Sequence, residues 1–281
     1  MKSGIDFEEM SCRKIPRFFH NVIAEWQACA KISYDIRSQF RLSVDFVLSR
    51  LLFALPRHFV NRVRQVRTHD GATICYRLNR GDLQSIREVW LEEAYRLPLP
   101  DPSGVLLDLG ANIGLTSVWL AKRYRFSRII AVESVADNAV LVRRNLELNG
   151  IEGVVLEAAI GPKEGSARFQ VHRNSNQGRL SDSGTPVAMV TVESILSEHL
   201  VSQLDLVKVD IEGGEQELFL GPTGWLDQTK AIIIEFHPLL VDYPGLIRLL
   251  QGRGFEYIPA NTAFLNNMDC FWRPRHAPDV S

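Results

Sequence analysis

Short apolar runs alternate with segments of helical periodicity from residue 105 to about residue 258. Six of these runs are predicted to be strands: residues 105–109, 128–133, 153–158, 205–210, 230–236 and 254–258. Because the runs are almost wholly apolar, both faces of each strand must be covered, as helices cover the two sides of a parallel sheet. The pattern therefore predicts an α/β fold with a doubly wound, mostly parallel sheet.

Composition and charge indicate an α/β domain that carries an extension. Hydrophobic residues make up 46% of the 281 residues and charged residues 23%, which excludes a disordered, collagen-like or coiled-coil chain. Residues 1–67 hold 12 basic and 6 acidic side chains, a net charge of +6, whereas residues 68–281 hold 20 and 27, a net charge of −7. Apolar residues recur at helical spacing between residues 18 and 64. We therefore predict a basic helical extension over 1–67 and the α/β domain over 68–281.

Nothing in the sequence predicts a membrane span or export. Residues 40–60 are the most apolar N-terminal stretch, but a span needs ~20 apolar residues. Five ionisable side chains interrupt the stretch: Arg41, Asp45, Arg50, Arg57 and His58. No secretory signal is visible at the start. The four cysteines form no C-x-x-C pair: Cys12, Cys29, Cys75 and Cys270. We therefore predict a protein of the reducing cytoplasm.

The predicted strand at 105–109 runs into a glycine turn and then into a predicted helix. Gly110 and Gly114 let the backbone approach a ligand, and the amino end of the helix offers unpaired N–H groups. The dinucleotide fingerprint G-x-G-x-x-G is not met, because Asn112 and Leu115 stand where its second and third glycines belong. The turn therefore disfavours a pyrophosphate-containing cofactor.

Two carboxylates flank this turn. Asp108 lies two residues before Gly110, where it can order the turn and approach a cationic ligand. Glu133 ends the next strand, 23 residues after Gly110, where a carboxylate can accept hydrogen bonds from both ribose hydroxyls. A nucleoside with a positively charged, phosphate-free tail fits this pair best. The alternative is structural, with Asp108 capping the turn and Glu133 solvated at a strand end.

Five pieces of sequence occur in a characteristic order: Leu-Asp-Leu-Gly-Ala-Asn-Ile-Gly at 107–114, Ala-Val-Glu-Ser at 131–134, Asn145 with Asn149, Val-Lys-Val-Asp-Ile-Glu-Gly-Gly-Glu at 207–215, and Ile-Ile-Ile-Glu-Phe-His at 232–237. This set resembles the S-adenosylmethionine-dependent methyltransferases of the seven-strand Rossmann-like class, and more narrowly the FkbM family. The resemblance extends from about residue 82 to about residue 267. It implies that S-adenosylmethionine lies over the ends of the first two strands of the sheet.

We assign the cofactor site to eight residues: Asp108, Gly110, Asn112, Gly114, Glu133, Ser134, Ala158 and Ala159. The two alanines follow the third strand, and the resemblance alone places them near the adenine. Asp82 stands where the family usually has an aspartate before its first helix, here predicted over residues 82–96. Residues 1–67 have no counterpart in the family that we can place.

Methyl transfer from a sulfonium is an in-line displacement, so a protein mainly aligns the acceptor and removes its proton. Lys208 and Asp210 share one face at the end of the fourth predicted strand, and Glu235 and His237 share one at the end of the fifth. We favour His237 as the general base, since an ordinary histidine pKa of about 6.5 suits neutral pH. Asp210 then holds the acceptor hydroxyl, and Lys208 neutralises Asp210.

Each of these catalytic assignments has a competing interpretation. Asp210 could cap a helix over residues 215–220, Lys208 could be only its ion-pair partner, and His237 could be an ordinary loop residue. Mg²⁺ held by Asp210 with Glu235 or His237 is a further alternative, because oxygen-rich sites bind this ion. We favour a site without a metal.

The resemblance implies O-methylation of a hydroxyl on a sugar, a glycan or a polyketide-type metabolite. The insertion at 172–186 offers donors that suit a polyhydroxylated acceptor: His172, Arg173, Asn174, Asn176 and Arg179. Nucleic acid is disfavoured, because the net charge is −1 and no Asn-Pro-Pro-Tyr-like run follows the fourth strand. A nicotinamide-dependent oxidoreductase and a noncatalytic, membrane-associated scaffold stay open as other functions.

The basic extension has two interpretations. Its charge and amphipathic periodicity predict contact with an anionic membrane or a partner, which would bring the active site to a lipid-linked glycan. Alternatively, residues 1–67 form a helical cap on the domain.

Overall fold

The computed structural model describes residues 23–49, 62–98, 102–171, 178–180, 184–212, 214–235, 241–259 and 268–274. Its helices are α1 (23–32), α2 (Ile36–Ser49), α3 (Arg80–Trp90), α4 (Leu115–Arg123), α5 (Ala136–Leu148), α6 (Val192–Glu198), α7 (Glu215–Leu220) and α8 (Tyr243–Gly252). Its strands are β1 (Val63–Arg67), β2 (Thr73–Arg77), β3 (Ser103–Leu109), β4 (Arg125–Glu133), β5 (Gly153–Glu157), β6 (Ala159–Ile160), β7 (Gly165–Val171), β8 (Gly178–Leu180), β9 (Thr185–Val190), β10 (Leu206–Val209), β11 (Ala231–Glu235), β12 (Glu256–Ile258) and β13 (Met268–Trp272).

A seven-stranded sheet lies at the centre of the fold, in the order β12-β13-β11-β10-β3-β4-β5. The five strands from β11 to β5 run parallel, and β13 runs antiparallel to both of its neighbours. Each of the six predicted strands overlaps a strand of this sheet. The prediction of an α/β, doubly wound and mostly parallel sheet is confirmed, and β13 is the strand that was not predicted.

Helices cover both faces of the sheet, as the apolar strands require. On one face Leu106 and Ala131 pack in a core with α4 and α5, and on the other Leu107 and Ile130 pack in a core with α6, α7 and α8. All four residues of β10 are buried. Apolar side chains on both sides of each central strand explain why these strands appear in the sequence as continuous apolar runs.

A second, four-stranded sheet follows β5 and has the order β6-β9-β7-β8. β7 pairs antiparallel with both β8 and β9, and β6 pairs parallel with β9. The insertion at residues 172–186 therefore includes β8 and the start of β9. Residues 172–177 and 181–183 lie outside the described residues, and so do the side chains of 178–180.

The described part of the extension packs directly on the domain. Ile32, Leu42 and Phe46 are buried in the same core as Ile74 and Ile86. The predicted boundary at residue 67 falls at a hairpin, since β1 pairs antiparallel with β2. Residues 63–64, expected to be helical, belong to β1. Among the described helices, none has the length and apolar character needed to cross a bilayer.

Candidate functional site

The turn between β3 and α4, residues 110–114, is tightly constrained. Gly110, Asn112 and Gly114 have positive φ angles of 76°, 50° and 79°. A Cβ on Gly110 would lie 1.8 Å from the carbonyl oxygen of Asp210, so only glycine fits there. The N–H groups of Gly110 and Ala111 both donate to the carbonyl of Val132 at 3.0 Å. The turn is thus held between the ends of β4 and β10, and we call it the cofactor turn.

Asp108 lies beneath the cofactor turn, with no exposed surface. Its Oδ2 accepts a hydrogen bond from the hydroxyl of Ser117 at 2.6 Å, and its Oδ1 lies 3.1 Å from the Nζ of Lys208 on the neighbouring strand. The register of β3 and β10 sets Asp108 directly opposite Lys208. Asp108 therefore supports the turn through its contacts with Ser117 and Lys208, and its carboxylate has no surface open to a ligand.

Lys208 is 2% exposed, and its ammonium group contacts several oxygens. Nζ donates to the carbonyl of Gly110 at 2.6 Å and lies 3.5 Å from the carboxylate of Asp210. Burial alone would lower the pKa of Lys208, but Asp108 and Asp210 outweigh it, so the pKa lies above its ordinary value. Lys208 is therefore a buried cation that joins the cofactor turn to the end of β10.

Glu133 ends β4 beside the cofactor turn and is 6% exposed. Its Oε2 accepts the N–H of Asn112 at 2.8 Å, and its Oε1 accepts the N–H of Val135 at 2.8 Å and the side-chain amide of Asn138 at 3.3 Å. Burial raises the pKa of Glu133 to about 7. Since a carboxylate has about four lone-pair positions, three bonds leave capacity for a further donor.

A chain of hydrogen bonds connects Asp82 with Glu133. Asp82 has no exposed surface and accepts the N–H and the guanidinium of Arg77, at distances from 2.8 to 3.0 Å. Arg77 also donates to the side-chain oxygen of Asn138 at 2.7 Å, and Asn138 donates to Glu133 and, at 3.3 Å, to Asn112. Asp82 therefore acts on the cofactor turn through Arg77 and Asn138.

Two asparagines, one on α5 and one at its carboxyl-terminal cap, bind the free edge of β2 as another strand would. The side-chain amide of Asn145 accepts the N–H of Cys75 at 2.6 Å and donates to its carbonyl at 3.0 Å. Asn149 makes the same pair of bonds with Thr73, at 2.9 and 2.8 Å. Asn145 also donates to the carbonyl of Ile113 in the cofactor turn at 2.7 Å. These contacts give both residues a structural role in the site.

The other predicted cofactor residues lie at the same edge of the sheet. Ser134 follows Glu133 and is half-buried. Ala158 and Ala159 are 4% and 6% exposed, and the N–H of Ala158 donates to the carbonyl of Glu133 at 3.1 Å. The structure thus brings all eight predicted cofactor residues to the carboxyl ends of β3, β4 and β5 or directly beneath them.

On the side of β10, Asp210 faces two residues that were not predicted. Its side chain is 20% exposed, and the hydroxyl of Tyr95 donates to it at 3.5 Å. Burial, followed by the charges of Asp210, Glu235 and Glu88, raises the pKa of Tyr95, which therefore stays protonated as a donor. Burial also raises the pKa of Glu88 on α3, and Asp210 adds to the effect. Neither Glu88 nor Tyr95 belongs to a motif that would have revealed it.

The helix-capping alternative for Asp210 is wrong. α7 begins after Gly214, and no side chain caps its first turn. Asp210 instead precedes this helix by several residues, with its N–H donating to the carbonyl of Leu109 at 3.1 Å.

The end of β11 is described only in part. Glu235 is its last residue and is half-buried, whereas His237 lies outside the described residues. Among the residues that the structure does describe, no group of three or more histidine, cysteine or acidic side chains is arranged to hold a metal ion. The histidine base and the Mg²⁺ alternative both stay predictions.

Residues 108–257 match the family described as Methyltransferase FkbM domain. "Methyltransferase 1" of Beauveria bassiana is 25% identical over an alignment 198 residues long that covers 60% of this chain and 79% of that protein. "Hexuronic acid methyltransferase AglP" of Haloferax volcanii is 23% identical over an alignment 175 residues long that covers 56% of this chain and 70% of that protein. A solved structure, methyltransferase FkbM from Methylobacillus flagellatus, is similar with a TM-score of 0.48 and 14% identity, over 90% of this chain and 59% of that one.

Proposed function

Since the chain belongs to the FkbM methyltransferase family, we propose that it transfers the methyl group of S-adenosylmethionine to a hydroxyl of a sugar, a glycan or a polyketide-type metabolite. The family match covers more than half of the chain, so the protein is an enzyme and a methyltransferase. This membership favours the methyltransferase over the nicotinamide-dependent oxidoreductase and the noncatalytic scaffold.

The position and hydrogen bonding of Glu133 are the observation that supports the cofactor proposal. Its carboxylate is fixed by Asn112 and Val135, lies at a strand end beside the glycine turn, and keeps acceptor capacity for a ribose hydroxyl. The second glycine of a dinucleotide fingerprint is replaced by Asn112, whose side chain donates to Ser85 at 3.2 Å. The residues present therefore fit an adenosine cofactor that has no pyrophosphate.

S-adenosylmethionine, when bound, supplies a methyl group made electrophilic by the sulfonium. The acceptor oxygen would form a bond to that methyl carbon, the carbon–sulfur bond would break with its electron pair left on sulfur, and the acceptor proton would pass to a base. We assign Asp210 to hold the acceptor hydroxyl and His237 to take the proton. Lys208 is too buried to touch an acceptor, and we assign it the role of pairing with Asp210.

The charge of the site bears on the acceptor. The name of the Haloferax volcanii relative supports a sugar acceptor. In this chain, however, the charges of Glu88, Asp210 and Glu235 all raise the pKa of Tyr95, so these three carboxylates lie near it. The charge of Glu212 likewise raises the pKa of Glu88. An anionic sugar would be repelled by these carboxylates. We therefore propose a neutral hydroxyl-bearing acceptor for this enzyme, in place of a uronic acid.

Calorimetry with S-adenosylhomocysteine and with NAD⁺ tests the cofactor proposal directly. We expect binding of S-adenosylhomocysteine and none of NAD⁺, and a preference for NAD⁺ would refute the proposal. The acceptor proposal is tested separately, by mass spectrometry of neutral oligosaccharides, their uronic acid counterparts and polyketide alcohols after incubation with S-adenosylmethionine. We expect methylation of a neutral hydroxyl compound, and methylation of the uronic acids alone would contradict the charge argument while leaving the cofactor intact.

A further inference from the structure

The outward side of α2 carries an apolar stripe beside a basic one. Ile36, Phe40 and Val44 are 65%, 62% and 37% exposed, and their spacing of four places them on one face of the helix. Arg37 and Arg41, one position further along, are exposed as well. Exposed apolar side chains in such a continuous row indicate a contact surface.

The exposed surface continues on the elements next to α2. Ile23 and Trp26 on α1 are 57% and 37% exposed, and Gln39 of α2 donates to the carbonyl of Trp26 at 3.3 Å. On the side of β1, Arg41 donates to the carbonyl of Gln65 at 2.9 Å. We call the exposed side chains of α1 and α2 the extension face.

The described residues 23–49 contain three acidic side chains, and two of them are buried away from the extension face. Glu25 is buried and pairs with Arg87 at 2.6 Å, on the side of α1 that faces the domain. Asp45 is also buried, and it accepts the hydroxyl of Tyr76 at 2.7 Å. Asp35 is half-buried and accepts the N–H of Ser38 at 2.8 Å. Among the described residues, exposed apolar side chains and the exposed Arg37 and Arg41 therefore lie side by side.

We propose that the extension face rests on an anionic lipid bilayer, independently of the identity of the methyl acceptor. Phe40 and its apolar neighbours would enter the headgroup boundary, while Arg37 and Arg41 contact lipid phosphates. Leu42 and Phe46, on the opposite side of α2, are buried in the core. The helix is therefore fixed on the domain with the extension face outward, so that its axis would lie along the plane of the bilayer.

The charge of the face argues against a second copy of the chain as its partner. In a two-fold contact the same patch meets itself, so Arg37 and Arg41 of both copies would be brought together. Such like charges repel unless anions lie between them. An anionic bilayer supplies both the negative charge and an apolar phase.

Sedimentation of the full-length protein with vesicles tests the proposal. We expect binding to phosphatidylcholine vesicles with about one third phosphatidylglycerol, and weaker binding with pure phosphatidylcholine or in higher salt. Phe40→Ser and Arg37→Glu should each weaken binding about tenfold or more. Val140→Ser and Lys163→Glu change an exposed apolar and an exposed basic residue elsewhere, and should bind like the unaltered protein.

Three results would overturn the proposal. The first is no binding to the anionic vesicles at either salt concentration. The second is a dimer in sedimentation velocity that Phe40→Ser dissociates while vesicle binding is unchanged, because the face would then bind a second copy. The third is a loss of thermal stability in Phe40→Ser with unchanged vesicle binding, because another part of this chain would then cover the face.

Discussion

The ammonium group of Lys208 donates a 2.6 Å hydrogen bond to the carbonyl oxygen of Gly110, the first residue of the cofactor turn. Lys208 belongs to β10, whose end carries the proposed acceptor residue Asp210, so one buried cation connects the cofactor side of the site with the acceptor side. A change at Lys208 should therefore affect both stability and activity.

We expect Lys208→Met to lower the free energy of unfolding by about 3–5 kcal/mol, because it leaves Asp108 buried without its cation. Urea unfolding at neutral pH measures this loss. Arg96→Met is the matched control, since Arg96 pairs with Glu93 at a site where the two side chains are 66% and 30% exposed. Its removal should cost less than about 1 kcal/mol. Equal losses in the two variants would contradict the burial argument.

The affinity for S-adenosylhomocysteine should rise with pH up to about 7. The pKa of Glu133 is raised to about 7, and ribose hydroxyls donate to the ionised form, so below this pH binding must displace a proton. Well below the pKa, the dissociation constant should increase about tenfold for each pH unit lost. Calorimetry across this range measures the slope. Glu133→Gln, which cannot ionise, should bind more weakly and without this slope.

The same carboxyl group should make the unliganded protein less stable as pH rises. The folded pKa of about 7 lies above the ordinary value of 4.5, so the folded state retains the proton longer than the unfolded state. Glu133 therefore stabilises the fold below pH 4.5, and this contribution of up to about 3 kcal/mol is lost as pH rises to about 7. Comparing the pH dependence of urea unfolding with that of Glu133→Gln isolates the contribution.

Substitutions of Asn145 and Asn149 should separate an effect on stability from an effect on cofactor affinity. Asn145→Ala removes bonds to Cys75 and to Ile113 of the cofactor turn, so we expect lower stability, by about 2–4 kcal/mol, and weaker S-adenosylhomocysteine binding. Asn149→Ala removes the bonds to Thr73 and one to the backbone carbonyl of Asn145, but none to the turn itself, so stability alone should fall. Equal affinity in both variants would mean that Asn145 does not position the turn.

The proposed base makes a kinetic prediction. His237→Ala should lower turnover by ~10²–10⁴-fold and leave S-adenosylhomocysteine affinity unchanged, because general-base catalysis contributes about this much. Asp210→Asn should raise KM for the acceptor as well. Full activity of His237→Ala would refute the assignment. Activity that is lost with a chelator and restored by Mg²⁺ would instead support Asp210 and Glu235 as metal ligands.

The sheet and the cofactor turn could be predicted because local patterns determine them. Apolar runs identify the buried strands, and the positive φ angles of Gly110 and Gly114 account for the glycines of the turn. β13 could not be identified in this way, because its polar Asp269 interrupts a short run whose partners, β11 and β12, lie earlier in the chain.

The features of the site that the sequence patterns did not predict depend on contacts between segments that are far apart in the chain. Alternation along β10 correctly placed Lys208 near Asp210, but its closer carboxylate is Asp108 on β3, which depends on strand order and register. Tyr95 and Glu88 reach the site because the segment that precedes the sheet folds over the strand ends. Their spacing in the sequence contains no sign of this contact.

The position of β13 also determines the order in which the acceptor side of the sheet can be completed during synthesis. β11 has an open edge, rich in isoleucine, until residues 268–272 leave the ribosome and pair with it. Open edges of this kind invite pairing with other chains. The strand that ends at Glu235 thus acquires its last neighbour after the cofactor turn and its supporting strands have been made, and its edge stays unpaired in the nascent chain during that interval.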